Sequence, residues 1–235
     1  ASYLKQDGSF NPTYAYAADF VSTFRRFNQD TLILPWIGGP VRNDRPFGPK
    51  GWADLSQERT RLQIAAFAAE LIVQGGFDGI HLDAEHIDNN LAHYLMLLDD
   101  IKQAVGDPYL LSVAGNDWVP GLVNRLPWIG NYKWSSGYVR AVGSRVDQLV
   151  VMTYDSMMPY PALYRLWLRE QVKGLRRGLV RSDTQLLVGL SVSREASRTH
   201  RPRAENMRHG LAGICAGVSP LPPGRRRVAG IAVYA

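Results

Sequence analysis

Gly76-Phe77-Asp78-Gly79-Ile80-His81-Leu82-Asp83-Ala84-Glu85-His86 is the stretch from which the fold can be read. Apolar and ionisable residues alternate along it, and successive residues of a strand point to opposite faces. Ile80, Leu82 and Ala84 are thereby expected to face covering helices, and His81, Asp83 and Glu85 to share the other face. Glu85 stands at the C-terminal end of that row.

Outward from this strand the pattern repeats. Short apolar runs bounded by Gly, Pro, Asn or Asp occupy 31–37, 79–84, 109–113, 148–153, 184–191 and 228–234. Between them lie amphipathic stretches at 15–27, 56–74, 89–105, 136–146, 161–179 and 204–216. Caps mark their ends, with Ser56 ahead of the second helix and Gly75-Gly76 after it. Alternating β and α runs predict a parallel sheet, and with a strand stub at Ala1 the count approaches the eight of a (β/α)8 TIM barrel. The expectation is one barrel domain over 1–235, lacking its first strand and last helix in this chain. Ala1-Ser-Tyr-Leu reads as the tail of a strand and Gly230–Ala235 as a strand with nothing after it to cover it.

Composition agrees with a globular domain: 235 residues, 46% hydrophobic and 20% charged, are enough to bury a sizeable core. No apolar run is long enough to span a bilayer. The single Cys215 excludes an intramolecular disulfide or cysteine-held zinc, and its apolar context predicts a small core residue. A formal charge of +6 comes from arginine clusters around 176–181, 198–203 and 225–227. These read as solvated faces, and without interleaved aromatics they do not predict nucleic-acid binding.

Two carboxylates and an imidazole rising toward the mouth of a barrel need a reason, because burying unpaired charge is costly and barrel active sites form at that mouth. The segment resembles the Asp-Gly-x-Asp-x-Asp-x-Glu signature on the fourth strand of family 18 glycoside hydrolases, matched at Asp78, Gly79, Asp83 and Glu85. Met152-Thr153-Tyr154-Asp155 is similar to the Met-x-Tyr-Asp of the family's sixth strand. The resemblance implies substrate-assisted, retaining hydrolysis of β-linked N-acetylhexosamine polymers such as chitin or peptidoglycan. It makes Glu85 the acid, Asp83 the group that stabilises the acetamido N–H, and Tyr154 and Asp155 the residues that orient the acetamide, with Met152 beside the sugar. Neighbouring carboxylates suit such an acid, since like-charge repulsion raises a carboxyl pKa.

Two departures stand out. His81 replaces a signature Asp, and Trp36 in Pro35-Trp36-Ile37-Gly38-Gly39 replaces the Ser of the family's Ser-x-Gly-Gly. Their joint replacement predicts a rebuilt barrel floor in which His81, beside Trp36, becomes the hydrogen-bond partner of Asp83; both are carried as substrate-site residues. Asn116, with Asp117, follows the fifth strand and reads equally as a sugar-binding pair or as a loop or cap. Trp118, Trp128, Trp134 and Tyr160 fit loop packing better than sugar stacking. His86 and His93 lack metal-ligand spacing, so neither metal nor cofactor is expected. The polar run 199–206 rims a cleft or caps a helix. A non-catalytic sugar-binding barrel is the alternative, disfavoured by the presence of Glu85. The expected partner is a polysaccharide, and the expected location outside the cell or in its envelope; oligomeric state is not legible.

Overall fold

The computed structural model describes residues 2–3, 10, 15–43, 51–120, 122, 132–180, 182–219 and 228–234. They form two compact units. The first, residues 1–114 with 145–147, holds β1 (Ser2–Tyr3), α1 (Ala17–Arg25), β2 (Trp36–Pro40), α2 (Glu58–Gly75), β3 (Gly79–Glu85), α3 (Ala92–Val105) and β4 (Leu110–Gly115, to Ala114). Its strands pair in parallel, each with the next in sequence. The second, residues 115–144 and 148–235, holds α4 (Ser136–Gly143), β5 (Gln148–Met152), α5 (Pro161–Gly178), β6 (Gln185–Ser191), α6 (Met207–Val218) and β7 (Val228–Tyr234), with β5, β6 and β7 parallel and adjacent in order.

The predicted alternation holds throughout, and the differences at element ends have local causes. The second predicted strand, 31–37, forms instead at Trp36–Pro40. Pro35 has no N–H to give, and the Ile33 N–H is taken by the Asp78 carboxylate (2.7 Å) rather than by a ladder partner. The last helix starts at Met207, not 204, because the Asn206 side chain accepts the His209 N–H (3.2 Å) and so sets the cap. Gly76, at φ 68°, ends α2 in the left-handed conformation that glycine adopts without penalty.

Each unit has its own core. In the first, Ile80 and Leu82 of β3, Leu97, Leu98 and Ile101 of α3, and Leu111 and Val113 of β4 are at most 2% exposed. In the second, Tyr164, Leu168, Val172, Val188, Leu190 and Ala204 cluster with Ile214. Burying side chains of this kind contributes roughly 1.5–3 kcal/mol each before entropy is counted, so these clusters hold the strands that carry the polar row. Cys215 is exposed, contrary to the sequence expectation. Gly210, Gly213, Ile214 and Gly217 form the buried stripe of α6, and Cys215 falls just outside it. Arg176 likewise departs from a solvated face: it is buried, with Nη1 donating to the Gly217 carbonyl (3.4 Å). Arg181 and 225–227 lie outside the described residues. Among the described residues no helix is long and apolar enough to cross a membrane.

Candidate active site

The β3 row is built as its alternation predicts. Ile80, Leu82 and Ala84 are buried, while His81, Asp83 and Glu85 are half-buried on the opposite face. The signature residues below the row are structural. The Asp78 carboxylate accepts from Arg25 Nη2 (2.7 Å) as well as from Ile33, pinning the entry to the strand. A Cβ on Gly79 would collide with the Leu110 carbonyl, so glycine lets β3 and β4 approach.

Strand register then determines who meets whom. Trp36 lies opposite His81, Gly38 opposite Asp83 and Pro40 opposite Glu85. A Cβ on Gly38 would stand 2.9 Å from the Trp36 ring, so that glycine leaves room for the indole to lie along β2. The indole reaches Asp83, and its Nε1–H donates to Oδ2 (2.9 Å). Asp83 Oδ1 is buried and has no hydrogen-bond partner among the described residues. Glu85 is fixed at its backbone by the Val41 N–H, which donates to its carbonyl (2.6 Å), and is joined to His86 by a cis peptide bond. Trp36, Gly38, Gly39, Pro40, Asp83, Glu85 and His86 line a cavity of about 350 Å³.

In the second unit Met152 ends β5, and Thr153 is buried, donating from Oγ1 to the Gly189 carbonyl (2.7 Å). Tyr154 stacks on Tyr234 with ring centroids 4.7 Å apart. Asp155 is half-exposed, at φ 62°. Asn116 gives its amide to the Tyr132 carbonyl (3.4 Å), and Asp117 is ion-paired with Lys133. Burial nonetheless raises the Asp117 pKa; Lys133 pulls against that and the Glu205 charge adds to it. Trp118 bonds Ser136 Oγ through Nε1 (2.8 Å) and lies against Gly174, where a Cβ would clash with its ring; Trp134 is fully buried. Both are packing residues. Tyr160 is exposed, and Trp128 lies outside the described residues.

The sequence matches the family model for glycosyl hydrolases family 18 over residues 5–185, most of the chain. The chain belongs to that family. Among solved structures, a class V chitinase from Pseudomonas fluorescens Pf-5 is similar at 16% identity and a TM-score of 0.63, over 100% of this chain and 85% of that one. The spore cortex-lytic enzyme SleL of Bacillus cereus is similar at 17% identity and a TM-score of 0.57, over 82% and 43%. The Group IV chitinase of Ostrinia furnacalis gives 16% and 0.55, over 81% and 56%. The chain thus spans about half the length of the latter two. No curated protein matches. The strand and helix alternation of both units is that of part of a (β/α)8 barrel, the fold shared with these structures.

Against the family 18 signature, the rebuilt floor differs from the sequence expectation in one respect. The bond to Asp83 comes from Trp36, and His81 turns to β4, where its Nδ1 pairs with Ser112 Oγ (2.9 Å). Register explains it: Ser112 sits opposite His81, and the indole already occupies the Asp83 side. The ring is also neutral near pH 7. Burial lowers the His81 pKa to about 4. Asp83 moves the other way, to about 6, first through burial and then through the Glu85 charge, with Trp36 and His86 opposing.

These opposite shifts predict opposite effects on stability. The folded His81 stays neutral between about pH 4 and 6.5, where the unfolded chain takes up its proton, so it destabilises the fold on acidification. The folded Asp83 holds its proton up to about 6 while the unfolded residue loses it near 3.8, so it destabilises the fold as pH rises through that window. Each penalty is of order 3 kcal/mol at its full extent, and in the parent their opposite pH dependences nearly offset one another. Urea midpoints at pH 4.5 and 7 test this. Relative to the parent, His81→Asn should gain stability at the acidic pH and Asp83→Asn at neutral pH. A His81→Asn gain that is larger at pH 7 than at pH 4.5, or an Asp83→Asn gain that is larger at pH 4.5 than at pH 7, would refute the assignment.

Sequence reasoning missed Glu205. Its side chain has no exposure and collects Asp155 N–H, Ser156 Oγ–H, His200 Nδ1 and Arg201 N–H. Only the polarity of 199–206 hinted at it. Asp155, His200 and Glu205 also bring possible metal-ligating atoms within 4.8 Å of one another. Glu205 Oε2 already faces three of these donors, which leaves that oxygen little capacity for a cation.

Proposed function

We propose that residues 1–235 belong to one glycoside hydrolase domain that cleaves β-linked N-acetylhexosamine polymers with retention, the 2-acetamido group of the substrate acting as nucleophile. The observation that carries this reading is the Asp83 and Glu85 pair at the end of β3. Both line one cavity, and Asp83 keeps a buried oxygen without a hydrogen-bond partner among the described residues. That oxygen suits an acetamido N–H, whose hydrogen bond strengthens as the amide oxygen attacks C1 and positive charge spreads over the forming ring. Glu85 donates its proton to the leaving glycosidic oxygen and then takes one from the water that opens the oxazolinium. Tyr154 and Asp155 are assigned to the acetamide by their motif. Met152, Trp36, His81 and Asn116 are proposed as sugar-site residues. Trp36 supports Asp83 while lining the cavity, and His81 supports the strand below it.

A sugar-binding barrel without catalysis has no need of a second carboxyl held near pH 6 beside the first. Chitin and peptidoglycan both carry the required acetamide, and such polymers place the protein outside the cell or in its envelope. The discriminating experiment compares a thiazoline mimic of the cyclised acetamide with the same sugar lacking the acetamido group. The thiazoline should inhibit at least about 10²-fold more tightly, as a mimic of the transition state. Equal inhibition would point to a carboxylate nucleophile instead.

A further inference from the structure

We propose that Glu205 is a positioning residue for the Tyr154–Asp155 segment, a role that rests on the reading of that motif given above. Its carboxylate is fully buried between the loop that follows β5 and the one that follows β6. Oε2 receives the Asp155 N–H (3.1 Å), His200 Nδ1 (2.9 Å) and the Arg201 N–H (3.3 Å), and Oε1 receives the Ser156 hydroxyl (2.7 Å). Asp155 has a positive φ of 62°, in the left-handed region that aspartate enters more readily than most non-glycine residues but that a hydrogen-bonded N–H can fix. The acceptor for its N–H is the constraint that the structure supplies, and Met157 N–H, bonded to the Thr199 carbonyl (3.0 Å), ties the same two loops a second time.

A carboxylate in this position costs desolvation, and the neighbourhood compensates it. The His200 ring lies against Glu205 at Nδ1 and the Ser193 carbonyl at Nε2 (3.3 Å), and the Asp155 and Arg201 N–H groups and the Ser156 hydroxyl meet the remaining lone pairs of the carboxylate. A leucine could fill the volume but would leave the four donors unmet. What the glutamate adds is a fixed direction for the Asp155 backbone, and with it for the Tyr154 and Asp155 side chains.

Glu205→Gln keeps the shape but gives up the charge, and Ser156→Ala removes the Oε1 donor without disturbing Oε2. Amide hydrogen exchange and steady-state kinetics on a chitin oligomer, both on the whole chain, test the role. In Glu205→Gln the Asp155 amide should exchange at least tenfold faster while β6 amides keep their protection, and kcat should fall about tenfold with KM changing less. Ser156→Ala should show the same pattern, weaker. Unchanged Asp155 exchange in Glu205→Gln would overturn the pinning, and faster exchange with parental kcat would overturn the positioning role. A parent that cleaves no oligomer would overturn the proposed hydrolysis and the catalytic role with it, leaving exchange to decide the pinning.

Discussion

Glu85→Gln is expected to reduce hydrolysis of N-acetylhexosamine polymers by about 10²–10⁴-fold, the usual contribution of a positioned acid. The amide matches the carboxyl in volume and cannot transfer a proton. The Val41 N–H holds the backbone carbonyl of Glu85, and that bond survives the substitution, so the strand should fold as before. Oligomer affinity should stay within a few-fold of the parent, which separates loss of chemistry from loss of binding. Calorimetric titration alongside reducing-end assays gives both numbers. Activity within a few-fold of the parent would remove Glu85 from the mechanism.

Asp83→Asn should cost about 10²-fold in kcat/KM, since a neutral amide answers the developing positive charge less well than a carboxylate. In the parent, kcat/KM should decline on acidification through about pH 6, as Asp83 takes up its proton. That limb should vanish in Asp83→Asn. Trp36→Phe supplies the sign test. The indole N–H favours the ionised Asp83, so its removal should move the limb to higher pH while leaving the cavity wall aromatic. A limb that stays in place in Trp36→Phe, or survives in Asp83→Asn, would assign it to another group.

Much of this was legible in the residues. Strict alternation in 79–85 is enough to put His81, Asp83 and Glu85 on one face, because a strand has no other way to orient successive side chains. The helices followed from periodicity and, for α2, from the glycine stop at Gly76; Ser56 does not cap that helix, because its hydroxyl is bonded to the Asp54 carboxylate (2.6 Å) and Gln57 takes the cap position without a side-chain bond. What the sequence could not supply was reach. Register alone places Trp36 beside His81; only the empty side of Gly38 lets the indole extend to Asp83 and displace His81 to Ser112. Cys215 was misread because its apolar neighbours are real, but helical phase decides which of them is buried. Beyond the polarity of 199–206, Glu205 carries no local signal, since its donors come from a segment about 50 residues earlier as well as from its own loop.

Retaining hydrolysis through the substrate's own acetamide is read from the configuration of the freshly released reducing end. Proton NMR of chitin oligomers and peptidoglycan fragments during the first turnovers should show new reducing ends as the β-anomer, relaxing to the equilibrium mixture only later. Initial release of the α-anomer, or no release from either polymer, would contradict the account.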